Sequence, residues 1–325
     1  MSDSILINIL VQSAVMIILC IGFTFIYMME KFPNFGHTAI AMIGTLIAYA
    51  LVRIWGYNPY ATWLISAVAC GILTVGLYFA VVRPIKENGA NIITLTFVFF
   101  AIAMIIGSLV DVFSYWFLYN QGYPTEGFWL SSYDFTWQGY PGVFIVSIPL
   151  CVLLVTALYL FLTRVKLGIA MRAVAENESL AAVLGVNTHE IHILSWFLTG
   201  VLAGLVGAII PLWQYTGLGY TDTFLVVVMA GCVLGGLQSI AGAVIGGFLI
   251  TLTQKGLTIL MISQYGIWAA DWEGLIPSIV IFAVLMVEPE GIMGISDKSN
   301  SPVKTLRVNL TRLREIVARV STSLR

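Results

Sequence analysis

The stretch Ile5–Met29 reads ILINILVQSAVMIILCIGFTFIYMM and contains no charged residue. A bilayer core about 30 Å thick needs about 20 helical residues to cross it, so this run is long enough to span a membrane. Lipid offers the backbone no hydrogen-bond partners, and only helices and closed barrels cross it. Because the run lacks the alternating pattern of a barrel strand, it predicts a transmembrane α-helix. The polar approach Ser2-Asp3-Ser4 and the length are unlike a signal peptide, and we expect the helix to be retained.

The composition points to the same class of protein. Of the 325 residues, 59% are hydrophobic and 10% are charged, and the mean hydropathy is +0.96. Soluble domains average about 45–50% apolar and about 25% charged residues. These values exclude a water-soluble enzyme, a disordered chain and a secreted disulfide scaffold, and a net charge of -1 gives no basic field for nucleic acid. The prediction is an all-α, polytopic integral membrane protein.

Further apolar runs predict about 8–9 transmembrane helices. The runs are Ile5–Met29, Thr38–Val52, Tyr60–Val82, Ile92–Leu118, Val143–Leu162, Ile191–Trp213, Phe224–Met261 and Leu275–Val287. The stretch Phe224–Met261 is too long for one crossing, and glycines interrupt it on both sides of the polar pair Gln238-Ser239. It either crosses twice or is re-entrant, and we predict a broken, glycine-rich hairpin.

Basic residues predict the orientation, because cytoplasmic loops of membrane proteins are enriched in Lys and Arg. Most of the 15 Lys and Arg residues lie in the loops Arg83–Asn91 and Thr163–Glu190 and after Val287. Placing these segments in the cytoplasm puts the N-terminus outside and the C-terminus inside. The tail has apolar residues at spacings of four and three, which predicts a basic amphipathic helix on the inner leaflet. We therefore divide the chain into a transmembrane domain, 1–294, and a cytoplasmic tail, 295–325.

The loop between Phe113 and Tyr140 is rich in Trp, Tyr and Phe and falls on the outer side in this orientation. Aromatic side chains commonly anchor a protein at the membrane interface. They are also favoured in the cores of protein interfaces, so a docking surface for an external partner is the alternative. The sequence leaves both interpretations open.

The long inner loop, residues 164–192, reads RVKLGIAMRAVAENESLAAVLGVNTHEIH. Residues 178–184 favour a short helix, and Gly185 is a typical residue to end it. Such a helix would present the small apolar patch Ala181, Ala182 and Leu184 to a cytosolic partner, or it would be a plain connector. The stretch His189-Glu190-Ile191-His192 is one residue short of a zinc-binding H-E-x-x-H pattern, and no third ligand is evident. We therefore expect no metal, no cofactor and no catalytic residues.

Small and polar residues within the apolar runs are candidates for helix packing or for lining a solute pathway. These candidates are Asn34, His37, Gly200, Gly204, Gly235, Gly236, Gly242 and Gly246. Because Glu30 and Lys31 precede it closely, we expect His37 near the inner interface, where a structural role is favoured. The chain has no G-x-x-x-x-G-K-[ST] phosphate-binding loop, so it cannot hydrolyse a nucleotide by that route.

Several segments together resemble the permeases of branched-chain amino acid importers of the ATP-binding cassette (ABC) class. They include GIAMRAVAEN at 168–177, AAVLGVN at 181–187, LAGLVG at 202–207 and GGLQSIAGAVIGG at 235–247. NFGH at 34–37, Gly44, Arg83-Pro84 and PEGIMG at 289–294 complete the pattern. The resemblance covers about residues 5 to 294, and the region 83–96 is more similar to the H-type permease than to the M-type.

This resemblance implies a role for the inner loop. In the family it forms the coupling helix, which docks into a groove of the ATP-hydrolysing subunit, and the corresponding residues here are Glu178, Ala181, Ala182, Leu184 and Gly185. The chain departs from the general ABC pattern, because Leu180 precedes the two alanines and the glycine comes one residue early. Glu288 stands where a basic residue is common.

The resemblance also implies partners and a solute. The partners are a related permease in a homodimer or heterodimer, cytoplasmic ABC ATPases and an extracytoplasmic solute-binding protein, with no nucleic acid. The location is the prokaryotic inner (plasma) membrane, with several passes through the lipid. The solute would be a branched-chain amino acid. Urea or short amides, carried by close relatives, and an ATP-independent secondary transporter or channel are the alternatives.

Overall fold

A computed structural model describes residues 3–125, 127–217, 219–288 and 291–293. The helices are α1 (Asp3–Glu30), α2 (His37–Trp55), α3 (Pro59–Leu77), α4 (Arg83–Glu87), α5 (Ile92–Gln121), α6 (Gly142–Arg164), α7 (Lys166–Glu176), α8 (Glu178–Val183), α9 (Thr188–Trp213), α10 (Thr223–Gly235), α11 (Ile240–Tyr265) and α12 (Leu275–Val287). A π-helical turn, Tyr78–Val82, joins α3 to α4. Three 3₁₀ segments, Ser131–Tyr133, Tyr220–Asp222 and Ile267–Gly274, and an antiparallel strand pair, β1 (Thr136–Trp137) and β2 (Tyr140–Pro141), complete the fold. The predicted tail, 295–325, lies outside the described residues.

Eight of these helical segments are long and apolar enough to cross a membrane. This confirms the predicted all-α, polytopic architecture; the orientation of the termini stays a prediction. The short helix α10 has 13 residues and is therefore about 20 Å long, less than the thickness of a bilayer core.

The predicted glycine-rich hairpin is formed by α10 and α11, which run antiparallel on either side of the turn 236–239. A Cβ atom added at Gly235 would lie 1.9 Å from the carbonyl oxygen of Gly242, and one added at Gly246 would lie 1.9 Å from that of Gly231. Only residues without a side chain allow two backbones to approach so closely. In the turn, Gly236 has a φ of 107°, which favours glycine.

Helices α1, α2 and α9 form the centre of the bundle. α1 is buried along most of its length, whereas α5 and α6 are mostly exposed. Glycines of α9 allow close packing, because a Cβ at Gly207 would lie 1.9 Å from the carbonyl oxygen of Ala41 in α2, and one at Gly204 would lie 2.5 Å from that of Ser66 in the neighbouring α3. The hydroxyl of Thr45 donates a hydrogen bond to the carbonyl oxygen of Gly207 over 2.8 Å. Backbone contact and hydrogen bonding thus hold these helices together.

His37 is buried against α1. Its ring packs against Gly22 of α1, where an added Cβ would lie 2.7 Å from Cε1 of His37. Gly22 lies two helical turns, about 12 Å, before Glu30 along α1. The segment between α1 and α2 therefore folds back into the bundle, and α2 begins well inside it. The expectation that His37 lies near the membrane interface stays a prediction.

At the opposite end of the bundle, the aromatic loop is ordered around Arg53 and Tyr49. The guanidinium carbon of Arg53 lies 5.9 Å from the ring centre of Tyr49 and 5.3 Å from that of Tyr133. Many other aromatic side chains of this loop are exposed, as both interpretations of the loop require. Near this end Lys255 of α11 forms an ion pair with Glu273, with 2.7 Å between the charged atoms.

Candidate functional site

The short helix α8 is defined at its start by an asparagine cap. Oδ1 of Asn177 accepts a hydrogen bond from the backbone N–H of Leu180 over 3.0 Å. The hydroxyl of Ser179 donates to the same oxygen over 2.8 Å. Because the first N–H groups of a helix have no partner within the helix, this cap favours the start of α8 at Glu178.

Gly185 ends α8 with a left-handed backbone, at a φ of 87°. The N–H of Gly185 donates to the carbonyl oxygen of Ala182, and the N–H of Val186 donates to that of Ala181, both over 3.0 Å. These two bonds form a Schellman motif, which satisfies carbonyl groups at a helix end. The chain therefore enters and leaves α8 through defined geometry, and the loop 164–192 holds a rigid turn of helix.

One side of α8 carries apolar side chains that the other described residues leave uncovered. Leu180, Val183 and Leu184 are 56%, 83% and 75% exposed, and Ala182 is exposed beside them. Ala181 is only 2% exposed. We call Leu180, Ala182, Val183 and Leu184 the exposed face of α8. The expected patch included Ala181, but on a helix each residue is rotated by about 100° from the last, and this turns Ala181 inwards.

The inner side of α8 packs against the transmembrane helices. Ala181 belongs to a buried apolar cluster with residues of α1, α6, α7 and α9, namely Phe25, Met29, Leu162, Met171, Val174, Ala175 and Ile191. Ile240, the first residue of α11 after the hairpin turn, packs against the same cluster. α8 and the glycine-rich hairpin therefore meet in one core at this end of the bundle.

A buried carboxylate lies beside this core. Glu30, the last residue of α1, is 3% exposed. Its Oε1 accepts hydrogen bonds from Nε1 of Trp196 over 2.8 Å and from Nδ1 of His192 over 2.9 Å. Its Oε2 forms an ion pair with Nζ of Lys86 in α4. Because burying an unpaired charge is costly, these contacts explain how Glu30 lies within the bundle.

His192 connects this carboxylate to α8. Its second ring nitrogen, Nε2, lies 2.9 Å from Oε1 of Glu178, the first residue of α8. An ionised carboxylate only accepts hydrogen bonds, so both ring nitrogens donate and the ring is an imidazolium. The hydrogen bond from His192, supported by its charge and by that of Lys86, lowers the pKa of Glu178, although burial opposes the shift. Glu30 and Glu178 thus carry two negative charges, which the positive charges of His192 and Lys86 balance.

The other histidine of this stretch has a separate partner. Nδ1 of His189 lies 3.1 Å from the hydroxyl of Tyr78 in the π-helical turn. Within the described ranges, no three His, Cys, Asp or Glu residues are grouped so that they could hold a metal ion. The near-match to H-E-x-x-H therefore has a structural explanation, because each histidine points to a different hydrogen-bond partner.

The group of Glu30, Lys86, Glu178 and His192, called the charged group below, was not predicted from the sequence. Glu30 served only to place His37, and Lys86 was one of the basic residues that predict the orientation. A usable signal was present, since an acidic residue at the end of one run and a histidine at the start of another were both assigned to the same membrane side. Nothing in the sequence paired them, because Glu30 and His192 are 162 positions apart.

Asn34 and His37, the polar candidates near α2, lie together but contact no member of the charged group in the hydrogen bonds described. Both residues are 0% exposed. Oδ1 of Asn34 accepts from the N–H of Gly36 over 3.0 Å, whereas its Nδ2 has no hydrogen-bond partner among the described residues. The ring of His37 lies beside the backbone of Leu19 in α1. The glycine candidates lie at helix contacts, Gly200 and Gly204 between α3 and α9, and Gly235, Gly242 and Gly246 within the hairpin.

A family model described as the permease component of branched-chain amino acid transport systems matches residues 5–285. The chain belongs to this family. The permease is accordingly a non-catalytic subunit of an ABC importer, a multi-pass protein of the inner membrane whose ATP hydrolysis is carried by a separate subunit.

The sequences of relatives align with the permease along nearly its whole length. A probable branched-chain amino acid transport permease protein LivH of Methanocaldococcus jannaschii is 30% identical over 289 residues, covering 89% of this chain and 91% of the relative. The high-affinity branched-chain amino acid transport system permease protein BraD of Pseudomonas aeruginosa is 27% identical over 304 residues, covering 89% and 94%.

The family also includes permeases with other solutes in their names. The ribose import permease protein RbsC of Escherichia coli is 26% identical over 293 residues, covering 87% of this chain and 85% of the relative. No solved structure matches the chain significantly. Family membership therefore establishes the transport role of the permease, and its assignment to the H-type stays a prediction.

Proposed function

We propose that this permease imports branched-chain amino acids, with the end of the bundle that carries α7 and α8 in the cytoplasm. The observation that carries the proposal is the exposed face of α8, a short, well-capped helix end with uncovered Leu180, Val183 and Leu184. A separate ATPase must transmit its movement to the permease by contact. An apolar helix face of this kind fits a groove in a protein partner.

In this proposal α8 is the coupling helix. The rigid ends of α8, at Asn177 and Gly185, allow a push on the exposed face to move the helix as one body. Ala181 carries that movement into the apolar cluster that also includes Ile240 of the hairpin. Closure of the ATPases would thereby shift the packing of α1, α9 and the hairpin between two states, as in other helix-shift transitions.

The solute pathway is proposed along the glycine contacts of the central helices. Gly200, Gly204, Gly235, Gly236, Gly242 and Gly246 place backbones in close contact, and broken helices near a cavity expose carbonyl groups to polar solutes. Asn34 and His37 are buried polar side chains at the start of α2, inside the bundle. We assign these two residues to the pathway rather than to packing alone.

The partners in this proposal follow from the family. A related permease forms a homodimer or heterodimer with this chain, two ABC ATPases bind at α8, and a solute-binding protein docks at the opposite end. The exposed aromatic residues around Arg53 supply a surface for that external protein. The branched-chain solute is supported by the printed names of the LivH and BraD relatives, and the ribose permease is the reason to test sugars as well.

Transport by proteoliposomes tests this proposal. The permease would be reconstituted with the partner permease, ATPases and binding protein of its importer, and uptake of radiolabelled leucine measured with and without ATP. We expect ATP-dependent uptake that excess isoleucine and valine inhibit and that ribose and urea do not. Inhibition by ribose or urea alone would contradict the assignment of a branched-chain amino acid as the solute. Leucine uptake by the permease without ATPases would favour a secondary transporter.

A further inference from the structure

Two carboxylates and the imidazole between them form a continuous path from α8 into the bundle. Glu178 of α8 contacts His192 of α9, and His192 contacts Glu30 of α1, with 2.9 Å between the bonded atoms at each step. Trp196, one turn further along α9, donates to the same Glu30 carboxylate over 2.8 Å. The path therefore joins α8 to the two most central helices of the bundle through charged hydrogen bonds.

The apolar contacts of α8 alone leave its orientation weakly defined. α8 has six residues, and of these only Ala181 is buried. A methyl group in an apolar cluster resists removal but does not resist rotation, because hydrophobic contact is non-directional. A hydrogen bond between an imidazolium and a carboxylate is directional and stronger than a neutral one. The Glu178–His192 contact is therefore suited to fix the rotation and tilt of α8.

The surroundings of His192 hold it in the bridging position. The charged groups that contact or neighbour it are Glu30 from α1, Lys86 from α4 and Glu178 from α8. Tyr78 and His189 lie on its remaining side. His192 is 4% exposed with α8 in place. If α8 moved away from His192, the ring would lose one of its two charged partners, and this links the position of α8 to that of α1 and α9.

We infer that His192 is a positioning residue of the transport reaction: as an imidazolium between Glu178 and Glu30, it ties the coupling helix to α1 and α9 and transmits movement between them. The inference rests on the proposed role of α8 in coupling. It adds that the contact is ionic and directional, and that the apolar cluster around Ala181 does not transmit the movement unaided.

Hydrogen–deuterium exchange on the full-length protein in lipid nanodiscs tests whether His192 fixes the position of α8, and it needs no ATPase. The variants are His192→Gln and Glu178→Gln, and the matched control is Glu176→Gln, an exposed glutamate at the end of α7 outside the charged group. We expect exchange in peptides covering residues 178–187 to rise at least about tenfold in both variants, as for loss of a charged hydrogen bond. Exchange across residues 178–187 should be unchanged in the control variant. In Glu178→Gln, exchange in the peptides of α1 and α9 should also be unchanged.

Glu178→Gln keeps the inference testable even where His192→Gln disturbs folding, since Glu178 lies at the surface and its side chain is 51% exposed. Unchanged exchange across residues 178–187 in Glu178→Gln would overturn the inference. Glu178→Asp serves as the conservative variant and should restore most of the protection, because it keeps the charge that His192 binds.

A second measurement separates this inference from the proposed function. In proteoliposomes with the ATPases and binding protein, Glu178→Gln should bind the ATPases normally, because the exposed face is intact, but should move several-fold less leucine per ATP hydrolysed. Wild-type transport per ATP in that variant would overturn the inference while leaving the coupling role of α8 intact. Failure of the wild-type chain to bind ATPases would instead overturn the proposed function, with the exchange result unaffected.

Discussion

Trp196 donates its indole N–H to the carboxylate of Glu30 over 2.8 Å. This hydrogen bond joins the last residue of α1 to the third turn of α9. Neither side chain reaches solvent, with Trp196 at 0% and Glu30 at 3% exposure. A buried carboxylate of this kind requires its full set of partners, because each unpaired charge in a low-dielectric setting costs several kcal/mol. The stability of this end of the bundle therefore depends on Glu30.

Replacing Glu30 by Gln tests that dependence. The change leaves Lys86 and the His192 imidazolium without their shared carboxylate, and we expect a loss of about 3–5 kcal/mol in the free energy of unfolding, the range for a broken buried ion pair. Thermal unfolding in detergent measures it as a lower Tm. Glu87→Gln is the control, because Glu87 pairs with Arg83 at the surface, and a Tm equal to that of Glu30→Gln would contradict the account.

The docking of α8 should respond to acid in a particular range. The pKa of Glu178 is lowered from its ordinary value of 4.5, chiefly by the hydrogen bond from His192. A group whose pKa falls on folding contributes its full stabilisation above the unfolded value and loses it as the pH drops through the folded value. The protection of residues 178–187, corrected for intrinsic exchange rates, should therefore be equal at pH 7 and pH 5.5 and decline below about pH 4.5.

A decline already complete at pH 5.5 would show that a group with a higher pKa controls the docking of α8. Glu178→Gln should remove the acid-dependent loss, since the glutamine cannot titrate. The groups that face this contact are Glu30, Lys86, His189, His192 and Tyr78, and the substitution replaces none of them.

The hairpin depends on glycine at specific positions of α11. In Gly246→Ala the new methyl group would meet the carbonyl oxygen of Gly231, which lies 1.9 Å from an ideal Cβ. We expect a loss of about 1–3 kcal/mol from the forced separation of α10 and α11. Gly256→Ala on the same helix is the matched control, since nothing lies within 4 Å of its Cβ. There the better helix propensity of alanine should stabilise the protein by up to about 1 kcal/mol.

Thermal unfolding of the two alanine variants side by side decides the question. Equal Tm values would contradict the close contact between Gly231 and Gly246. Gly231→Ala tests a different contact, because an added Cβ there would lie 2.9 Å from Sγ of Cys20 in α1.

Much of the fold follows from local properties of the sequence. Apolar length predicted the spans, and the glycines of Phe224–Met261 predicted a broken hairpin, which α10 and α11 form. A helix end at Gly185 was predictable, since the left-handed conformation there is a local property of glycine. These features need no knowledge of what lies elsewhere in the chain.

The candidate site could be predicted only in part, because its chemistry depends on distant segments. Glu30, Lys86 and His192 come from three separate helices, and their pairing follows from the packing of α1 against α9. The contact of His37 with Gly22 of α1 was not predictable for a related reason, since the preceding segment folds back into the bundle. Ala181 was placed on the wrong side because a helix of six residues is too short to reveal its buried face by periodicity.

The exposed face of α8 is the centre of this account, and Ala182→Arg tests it most directly. Ala182 is exposed, so the variant should fold and insert, but a long charged side chain would block an apolar groove of the ATPase. The measurement is ATP-driven leucine uptake together with ATP hydrolysis by the reconstituted importer. We predict that uptake falls to background and that hydrolysis no longer responds to the loaded binding protein. Uptake at the wild-type rate in Ala182→Arg would contradict the assignment of α8 as the coupling helix.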